Sequence, residues 1–279
     1  MALRLPVANR YLSAPFVGVN TELVFANDLA SVSVRRHFHS NHLPRTIVNM
    51  ANEPEKRPRI LCLHGFRTSA KILQNLIGRW PETLLGKLDL VFLDAPFPAR
   101  GKSDVEGIFD PPYYEWFQSN QDFTEYINFE ECVEYVEDYM MRHGPFDGLL
   151  GFSQGAILSA ALPGMQMQGV GLTKVPNIKF LVIISGAKFG GSKFGLPKLA
   201  ANAFSSPVQC PSIHFIGQAD FLKQEGTALL ESFVDPVVIH HPKGHTVPRL
   251  GLASLCHHIH VRHASPHDEL CGPKAGPSK

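Results

Sequence analysis

The chain has 279 residues, of which 44% are hydrophobic, and its 26 basic and 25 acidic side chains leave a formal net charge of only +1. This length and composition suit one globular domain with flanking segments, and the balanced charge without an extended basic patch argues against nucleic acid as a partner. No run of about 18 apolar residues is present, so we expect no transmembrane segment.

Residues 1–55 are interpreted as an N-terminal extension. The first 50 residues contain five arginines, no lysine and only two acidic residues, a bias that resembles an organelle transit peptide. A disordered extension, or a functional protein that begins near Met50, would explain the same composition. The five cysteines of the chain are widely spaced and lack a C-x-x-C pair, which indicates free thiols in a reducing compartment. We therefore expect a cytoplasmic protein, or a chloroplast or mitochondrial one if the extension directs import.

Residues 56–250 alternate apolar, strand-like runs with segments long enough for helices. The apolar runs fall at 59–63, 88–93, 146–152, 178–184, 212–217 and 236–240. This alternation predicts an α/β fold with a mostly parallel central sheet of about six strands, flanked by helices.

The segment between Pro96 and Tyr126 is rich in proline, glycine and aromatic residues and follows no clear period. A long irregular insertion in a compact domain is uncommon unless it is functional, and aromatic rings offer apolar walls to a ligand. We interpret it as a lid or pocket wall, with Tyr114, Trp116 and Phe117 as substrate-binding residues. An irregular piece of core packing is the alternative, because aromatic clusters commonly bury surface.

A helix before the third apolar run is indicated by residues that share one face at helical spacing, namely Phe129, Val133, Val136 and Met140. Asn128 and Glu131 form a pair typical of a capping box, which predicts the start of this helix. His143, Gly144 and Pro145 predict its end.

The residues Gly151-Phe152-Ser153-Gln154-Gly155 lie where an apolar strand-like run gives way to a helix-like run. A G-x-S-x-G motif in this position is typical of a nucleophile elbow, in which a tight turn exposes the serine hydroxyl. The flanking glycines are needed because side chains there would collide with the neighbouring strand and helix. Ser153 is therefore the predicted nucleophile.

A serine nucleophile needs a base and a group that orients the base. In the α/β-hydrolase arrangement the acid and then the histidine follow the serine, each beyond the end of a strand. Asp220 follows the strand-like run 212–217 and is the predicted acid. His245 follows a glycine beyond the run 236–240 and is the predicted base.

Other residues compete for these roles. His214 and His240 lie inside strand-like runs, where histidines are usually structural, and His241 is harder to assign. Asp94 also ends a strand-like run, but it precedes the serine and so breaks the expected order.

Backbone amides are expected to stabilise the oxyanion that forms when the serine attacks. The N–H of Gln154, next to the nucleophile, is one predicted donor. The N–H of Phe66, in the loop after the run 59–63, is the other. We interpret His64 in the same loop as structural, with a ring that braces the loop through hydrogen bonds.

Several of these motifs together resemble the FSH family of serine hydrolases, which includes the ovarian-cancer-gene-2-like esterases, and in particular its plant-type members. The residues that carry the resemblance are Leu63-His64-Gly65-Phe66, Asp94-Ala95-Pro96, Tyr114-Glu115-Trp116-Phe117, Gly151-Phe152-Ser153-Gln154-Gly155-Ala156, Asp220 and Gly244-His245-Thr246-Val247-Pro248. The resemblance covers about two thirds of the chain. It implies a compact α/β-hydrolase fold, residues 56–250 as the serine hydrolase domain, and hydrolysis of carboxylic esters or thioesters of acyl chains through Ser153, His245 and Asp220.

Residues 251–279 depart from the family pattern, which implies an amphipathic helix in this place. The chain instead carries a His-rich tract at 257–263 followed by a polar tail, and an alternative transcript is our preferred explanation. The histidines lack a convincing pattern of supporting acids, so we expect no metal there.

The predicted mechanism needs no metal or cofactor, and its partner is a small acyl ester or thioester. Two other functions remain open. Gly-Phe-Ser-Gln-Gly is also found in acyl-protein thioesterases and lysophospholipases, and some α/β-hydrolase folds serve only as binding proteins.

Overall fold

The computed structural model of the protein describes residues 56–250. The strands in chain order are β1 (Arg59–Leu63), β2 (Asp89–Leu93), β3 (Phe97–Pro98), β4 (Tyr114–Glu115), β5 (Gln118–Ser119), β6 (Tyr126–Ile127), β7 (Gly148–Phe152), β8 (Phe180–Ile184), β9 (Ser212–Gly217) and β10 (Val237–His241). The α-helices are α1 (Ala70–Ile77), α2 (Glu82–Leu85), α3 (Phe129–His143), α4 (Gln154–Met167) and α5 (Lys223–Leu230), and a short 3₁₀ helix spans Lys198–Ala200.

Six of the strands form one sheet in the order β10-β9-β8-β7-β1-β2, and every neighbouring pair is parallel. The predicted α/β class and the six-stranded central sheet are confirmed. In a parallel sheet the carboxyl ends of all strands meet at one edge, which is where such folds bind ligands. The loops after β1, β7, β9 and β10 therefore converge at that edge.

Both faces of the sheet are covered, as the uninterrupted apolar strands require. Along β1 the side chains alternate, so that Leu61 and Leu63 belong to the core on one face while Ile60 and Cys62 belong to the core on the other. Helices α3 and α4 contribute to the first core and α1 to the second. Helix α4 is buried along most of its length, and this burial anchors the chain just after Ser153.

Helix α3 has the predicted buried face, since Phe129, Val133, Val136 and Met140 are all buried. Its predicted capping box is wrong. Asn128 has a left-handed backbone with φ of 61° and makes no side-chain cap bond. Its amide nitrogen instead donates to Oε1 of Gln118, 3.2 Å away, so a tertiary contact takes the side chain that the sequence pattern assigned to the helix end.

The aromatic insertion between β2 and α3 contains only two small antiparallel sheets, β3–β4 and β5–β6. Its central residues belong to the core. Trp116 is fully buried, and the ring of Phe117 packs at 5.3–5.5 Å against Tyr126, Phe129 and Phe189. At these two positions the insertion packs into the core, as the alternative interpretation expects, and the predicted contact of Trp116 and Phe117 with substrate stays a prediction.

Within residues 56–250 no helix combines the length and the apolar character needed to cross a membrane. The predicted N-terminal extension, residues 1–55, and the predicted His-rich tail, residues 251–279, lie outside the described residues.

Candidate active site

Ser153 occupies the turn between β7 and α4 with φ of 54° and ψ of −116°, a conformation that L-residues rarely adopt. The backbone on either side is packed too closely for side chains. A Cβ added at Gly155 would lie 2.2 Å from the Leu63 carbonyl oxygen, and one at Gly151 would lie 2.3 Å from the Gly155 carbonyl oxygen. Both glycines are thus required by close packing, as the motif predicted. The Ser153 N–H donates to the Ile184 carbonyl at 3.0 Å, which holds the strained turn against β8.

Three side chains from three loops form one continuous hydrogen-bonded row beside this turn. Nε2 of His245 lies 2.8 Å from Oγ of Ser153, and Nδ1 of His245 lies 2.9 Å from Oδ1 of Asp220. Asp220 follows β9 and His245 follows β10, so the parallel sheet brings both loops to the elbow after β7. The row thus joins a carboxylate, an imidazole and a hydroxyl that are up to 92 residues apart in sequence.

The surroundings of Asp220 determine the charge of its carboxylate and, through it, the position of the proton on the imidazole of His245. Burial by itself would raise the pKa of the carboxyl, whose side chain is 1% exposed, but hydrogen bonds from His245 and from the Leu222 N–H at 2.8 Å outweigh it. The Ser185 hydroxyl makes no hydrogen bond of good geometry, yet it lies close enough to Asp220 to lower the pKa further. The net pKa of Asp220 is below its ordinary value, so the carboxylate is charged at neutral pH. Nδ1 of His245 then carries the proton, and Nε2 is the acceptor that faces Ser153.

Two aromatic rings flank the imidazole of His245. The ring of Phe152 lies 5.2 Å away and that of Phe221 lies 4.4 Å away, measured between centroids. These contacts restrict the tilt of the imidazole, and Phe221, which is 64% exposed, covers it on the solvent side.

The competing residues have other environments. His214 is buried beside the Ser212 hydroxyl at 3.0 Å, and burial lowers its pKa to about 4. His240 is exposed, and His241 is buried in β10 with neither ring nitrogen bonded to a group of residues 56–250. Asp94 is exposed and accepts a hydrogen bond of 2.7 Å from the Ala70 N–H at the start of α1.

His64 braces the loop after β1, as its structural interpretation expects. Its Nε2 accepts from the Ala95 N–H at 3.0 Å, so Nδ1 carries the hydrogen and lies 2.8 Å from the Gly65 carbonyl oxygen. Burial lowers the pKa of the imidazole to about 4, which keeps it neutral. A neutral, fully bonded ring holds the loop in shape and has no free nitrogen for proton transfer.

The loop that contains Phe66 lies directly against the nucleophile, because a Cβ added at Gly65 would lie 3.3 Å from Cβ of Ser153. Among the hydrogen bonds of the described residues, the amides of Phe66 and Gln154 have no protein acceptor. Two N–H groups without a protein acceptor among residues 56–250 therefore belong to the two loops that adjoin Ser153.

The insertion has an exposed aromatic ring that was not among those predicted to bind substrate. Phe123 is 40% exposed, and its ring lies 6.2 Å from that of Phe66 and 6.0 Å from that of Phe194. These three residues, Phe66, Phe123 and Phe194, form an aromatic row that begins in the loop after β1. Tyr114 is only half-buried, so its predicted contact with substrate stays a prediction. Sequence reasoning missed Phe123 and Phe194 because no periodicity shows which rings of an irregular segment face outward.

Comparison with known proteins agrees with the resemblance. The model of the family described as Serine hydrolase (FSH1) matches residues 51–253. An esterase of Anopheles gambiae is 32% identical over 204 residues, which cover 70% of this chain and 73% of that protein. Human Esterase OVCA2 is 30% identical over 213 residues, which cover 69% of this chain and 91% of that protein. Since the family match spans most of the chain, this protein belongs to the FSH1 family of serine hydrolases.

Proposed function

We propose that Ser153, His245 and Asp220 are the catalytic triad with which this serine hydrolase cleaves carboxylic esters or thioesters. The observation that carries the proposal is the row of two short hydrogen bonds, 2.9 Å and 2.8 Å, that ends on a serine hydroxyl in a strained, glycine-flanked turn. This combination matches the roles of nucleophile, base and orienting acid in acyl transfer.

The chemistry follows from these positions. Nε2 of His245 takes the proton of the Ser153 hydroxyl as Oγ attacks the carbonyl carbon of the substrate. The N–H groups of Phe66 and Gln154 donate to the oxyanion of the tetrahedral intermediate. His245 then protonates the leaving alcohol or thiol, which departs as the acyl-enzyme forms. A water that gives its proton to His245 attacks the acyl-enzyme, and Ser153 recovers its proton as the carboxylic acid leaves.

Asp220 supports both halves of the reaction. Its buried carboxylate keeps the proton of the neutral imidazole on Nδ1 and stabilises the imidazolium that forms after each proton transfer. All of these steps use groups of the chain and water.

A fluorophosphonate probe tests the nucleophile directly. We expect the wild-type protein to be labelled on Ser153, located by mass spectrometry of the tryptic peptide, because the probe reacts with an activated serine hydroxyl. Ser153→Ala should take up no probe and hydrolyse no acyl ester. Ser159, which is buried in α4, supplies the matched control, and Ser159→Ala should be labelled normally. Equal labelling of the wild type and Ser153→Ala would remove the proposed nucleophile.

The aromatic row of Phe66, Phe123 and Phe194 is the surface on which we propose that the acyl chain lies. Because Phe66 also supplies an oxyanion donor, a carbonyl bound there would direct its chain along these rings. Phe123→Ala removes the middle ring, so we expect kcat/KM for long-chain esters to fall about tenfold relative to an acetyl ester, the size expected for a few lost methylene contacts. The measurement is a series of p-nitrophenyl esters of increasing chain length.

Ile108→Ala is the control for this change, since Ile108 is another large apolar side chain of the same insertion and is 76% exposed. It should leave the chain-length profile unchanged. An unchanged profile in Phe123→Ala as well would place the acyl chain elsewhere.

A further inference from the structure

The carbonyl oxygen of His64 accepts hydrogen bonds from two separate parts of the chain. The indole Nε1–H of Trp116 donates to it at 2.8 Å, and the backbone N–H of Gly155 donates to it at 3.1 Å. His64 lies two residues before Phe66, and Gly155 follows Gln154. One carbonyl thus links the two loops that carry the unpaired amides beside Ser153.

The side chain of Gln154 makes a second link at the same place. Its Oε1 accepts from the backbone N–H of Trp116 at 2.9 Å, and its Nε2 donates to the carbonyl of Phe117 at 2.8 Å. The side chain is buried, and both ends of its amide are used, so its orientation is determined. The residue that supplies one of the two proposed oxyanion donors is therefore held through its own side chain by the insertion.

The residues of the insertion that make these hydrogen bonds are themselves packed against the loop after β1. Trp116 is fully buried, and its ring lies 5.2 Å from that of His64. Next to it, the buried carboxylate of Glu115 pairs with Nε of Arg67 at 2.7 Å, and the Tyr114 N–H donates to the Thr68 carbonyl at 2.8 Å. The three consecutive residues Tyr114, Glu115 and Trp116 thus each attach the insertion to the loop from His64 to Thr68.

We propose that Trp116 and the side chain of Gln154 are positioning residues that set the spacing of the two oxyanion donors, the N–H groups of Phe66 and Gln154. This inference rests on the proposed function, in which these amides bind the oxyanion. Donors of this kind must lie about 2.7–3.1 Å from the oxyanion, a position that the oxygen of the bound substrate has not yet reached. A small displacement of either loop therefore weakens binding of the transition state more than binding of the substrate.

Trp116→Phe tests the proposal, because it removes the indole N–H and keeps an aromatic ring in the core. We expect kcat to fall by about tenfold to a hundredfold, somewhat less than the loss of a whole donor, while KM for the same ester changes little. The inhibition constant of an alkyl trifluoromethyl ketone, whose adduct with Ser153 places an oxyanion between the donors, should rise by the same factor as kcat falls.

Phe129→Leu is the matched control for damage to the core. The buried ring of Phe129 packs 5.5 Å from that of Phe117 and makes no hydrogen bond, so this variant should lower Tm and leave kcat and the inhibition constant near their wild-type values. Gln154→Met is the second variant, since it keeps the side-chain length and removes both amide bonds. It should reproduce the parallel loss of kcat and of inhibitor affinity.

The outcomes separate this inference from the proposed function. Turnover that persists in Ser153→Ala would overturn both. Loss of activity in Ser153→Ala, with wild-type kcat and inhibitor affinity in folded Trp116→Phe and Gln154→Met, would overturn only the positioning role. A fall in kcat that Phe129→Leu shares, without weaker inhibitor binding, would likewise assign Trp116 to stability alone.

Discussion

Replacing His245 by alanine should lower kcat for ester hydrolysis by about 10⁵- to 10⁶-fold, the loss that follows when a serine hydrolase loses its base. The reason is that, among residues 56–250, only His245 makes a hydrogen bond with the Ser153 hydroxyl through a group that can take its proton. The backbone amides beside Ser153 remain, so a small residual rate above that of water is expected. Steady-state kinetics with a p-nitrophenyl ester, at enzyme concentrations high enough to detect that residue, measures the change.

His240→Ala is the control for this experiment, because His240 is an exposed histidine on β10, only five residues away. Surface substitutions of this kind rarely change stability by more than about 0.5 kcal/mol, so its kinetics should match the wild type. If His245→Ala remained folded and kept wild-type turnover, Ser153 would have to be activated by another group, and the proposed triad would be wrong.

Asp220→Asn should reduce kcat by about 10⁴-fold at neutral pH, the effect expected when an amide replaces the orienting carboxylate. An amide N–H would donate to Nδ1 of His245, which moves the imidazole proton to Nε2 and leaves no acceptor for the Ser153 hydroxyl. The loss of the negative charge also destabilises the imidazolium. The measurement is kcat and kcat/KM as a function of pH, with Tm as the check on folding.

The structure determines the direction in which the stability of the wild-type protein changes with pH. The pKa of Asp220 is lowered in the folded protein, so the stability that its charged carboxylate contributes through its hydrogen bonds is present above the ordinary carboxyl pKa and is lost as the pH falls through the folded value. Asp220→Asn removes this acid-dependent contribution. We therefore expect the Tm of the variant to approach that of the wild type as the pH is lowered below about 4.

Asp94→Asn tests which of the two aspartates that follow strands, Asp94 or Asp220, is the orienting acid. Asp94 is exposed, and its carboxylate accepts from the Ala70 N–H, a bond that an asparagine oxygen can also accept. Activity should stay near that of the wild type. A loss in Asp94→Asn as large as that in Asp220→Asn would contradict the assignment of the acid.

The central strands could be predicted because they are buried on both faces and read as apolar runs, and β7 is buried at every position. The predicted boundaries extend up to two residues beyond the hydrogen-bonded ladder, since Phe146 and Ile178 are buried without belonging to a strand. The sequence pattern indicates which residues are buried, whereas a strand also needs a hydrogen-bonded neighbouring strand. The buried run and the strand therefore end at different residues.

The positions of the aromatic side chains in the insertion between β2 and α3 could not be predicted from the sequence pattern. Its aromatic residues follow no period, and a ring can cover the core or face a ligand with equal chemical plausibility. Trp116 and Phe117, predicted to bind substrate, are buried, whereas Phe123 reaches the surface beside Phe66. Asn128 was assigned to a helix cap by spacing alone, and its amide bonds Gln118 instead, ten residues earlier in the chain.

From its sequence alone, this protein could be assigned the order of nucleophile, acid and histidine along the chain, because a parallel sheet sends the loop after each strand to one edge and only a glycine-flanked turn can expose Ser153. Tertiary packing decided the rest. The Ser153–His245 distance of 2.8 Å and the Asp220–His245 distance of 2.9 Å join side chains that are 92 and 25 residues apart in sequence. Both depend on how β7, β9 and β10 are arranged in one sheet. The bonds of Trp116 and Gln154 depend on how an irregular loop folds back onto that edge, and no local pattern encodes such a contact.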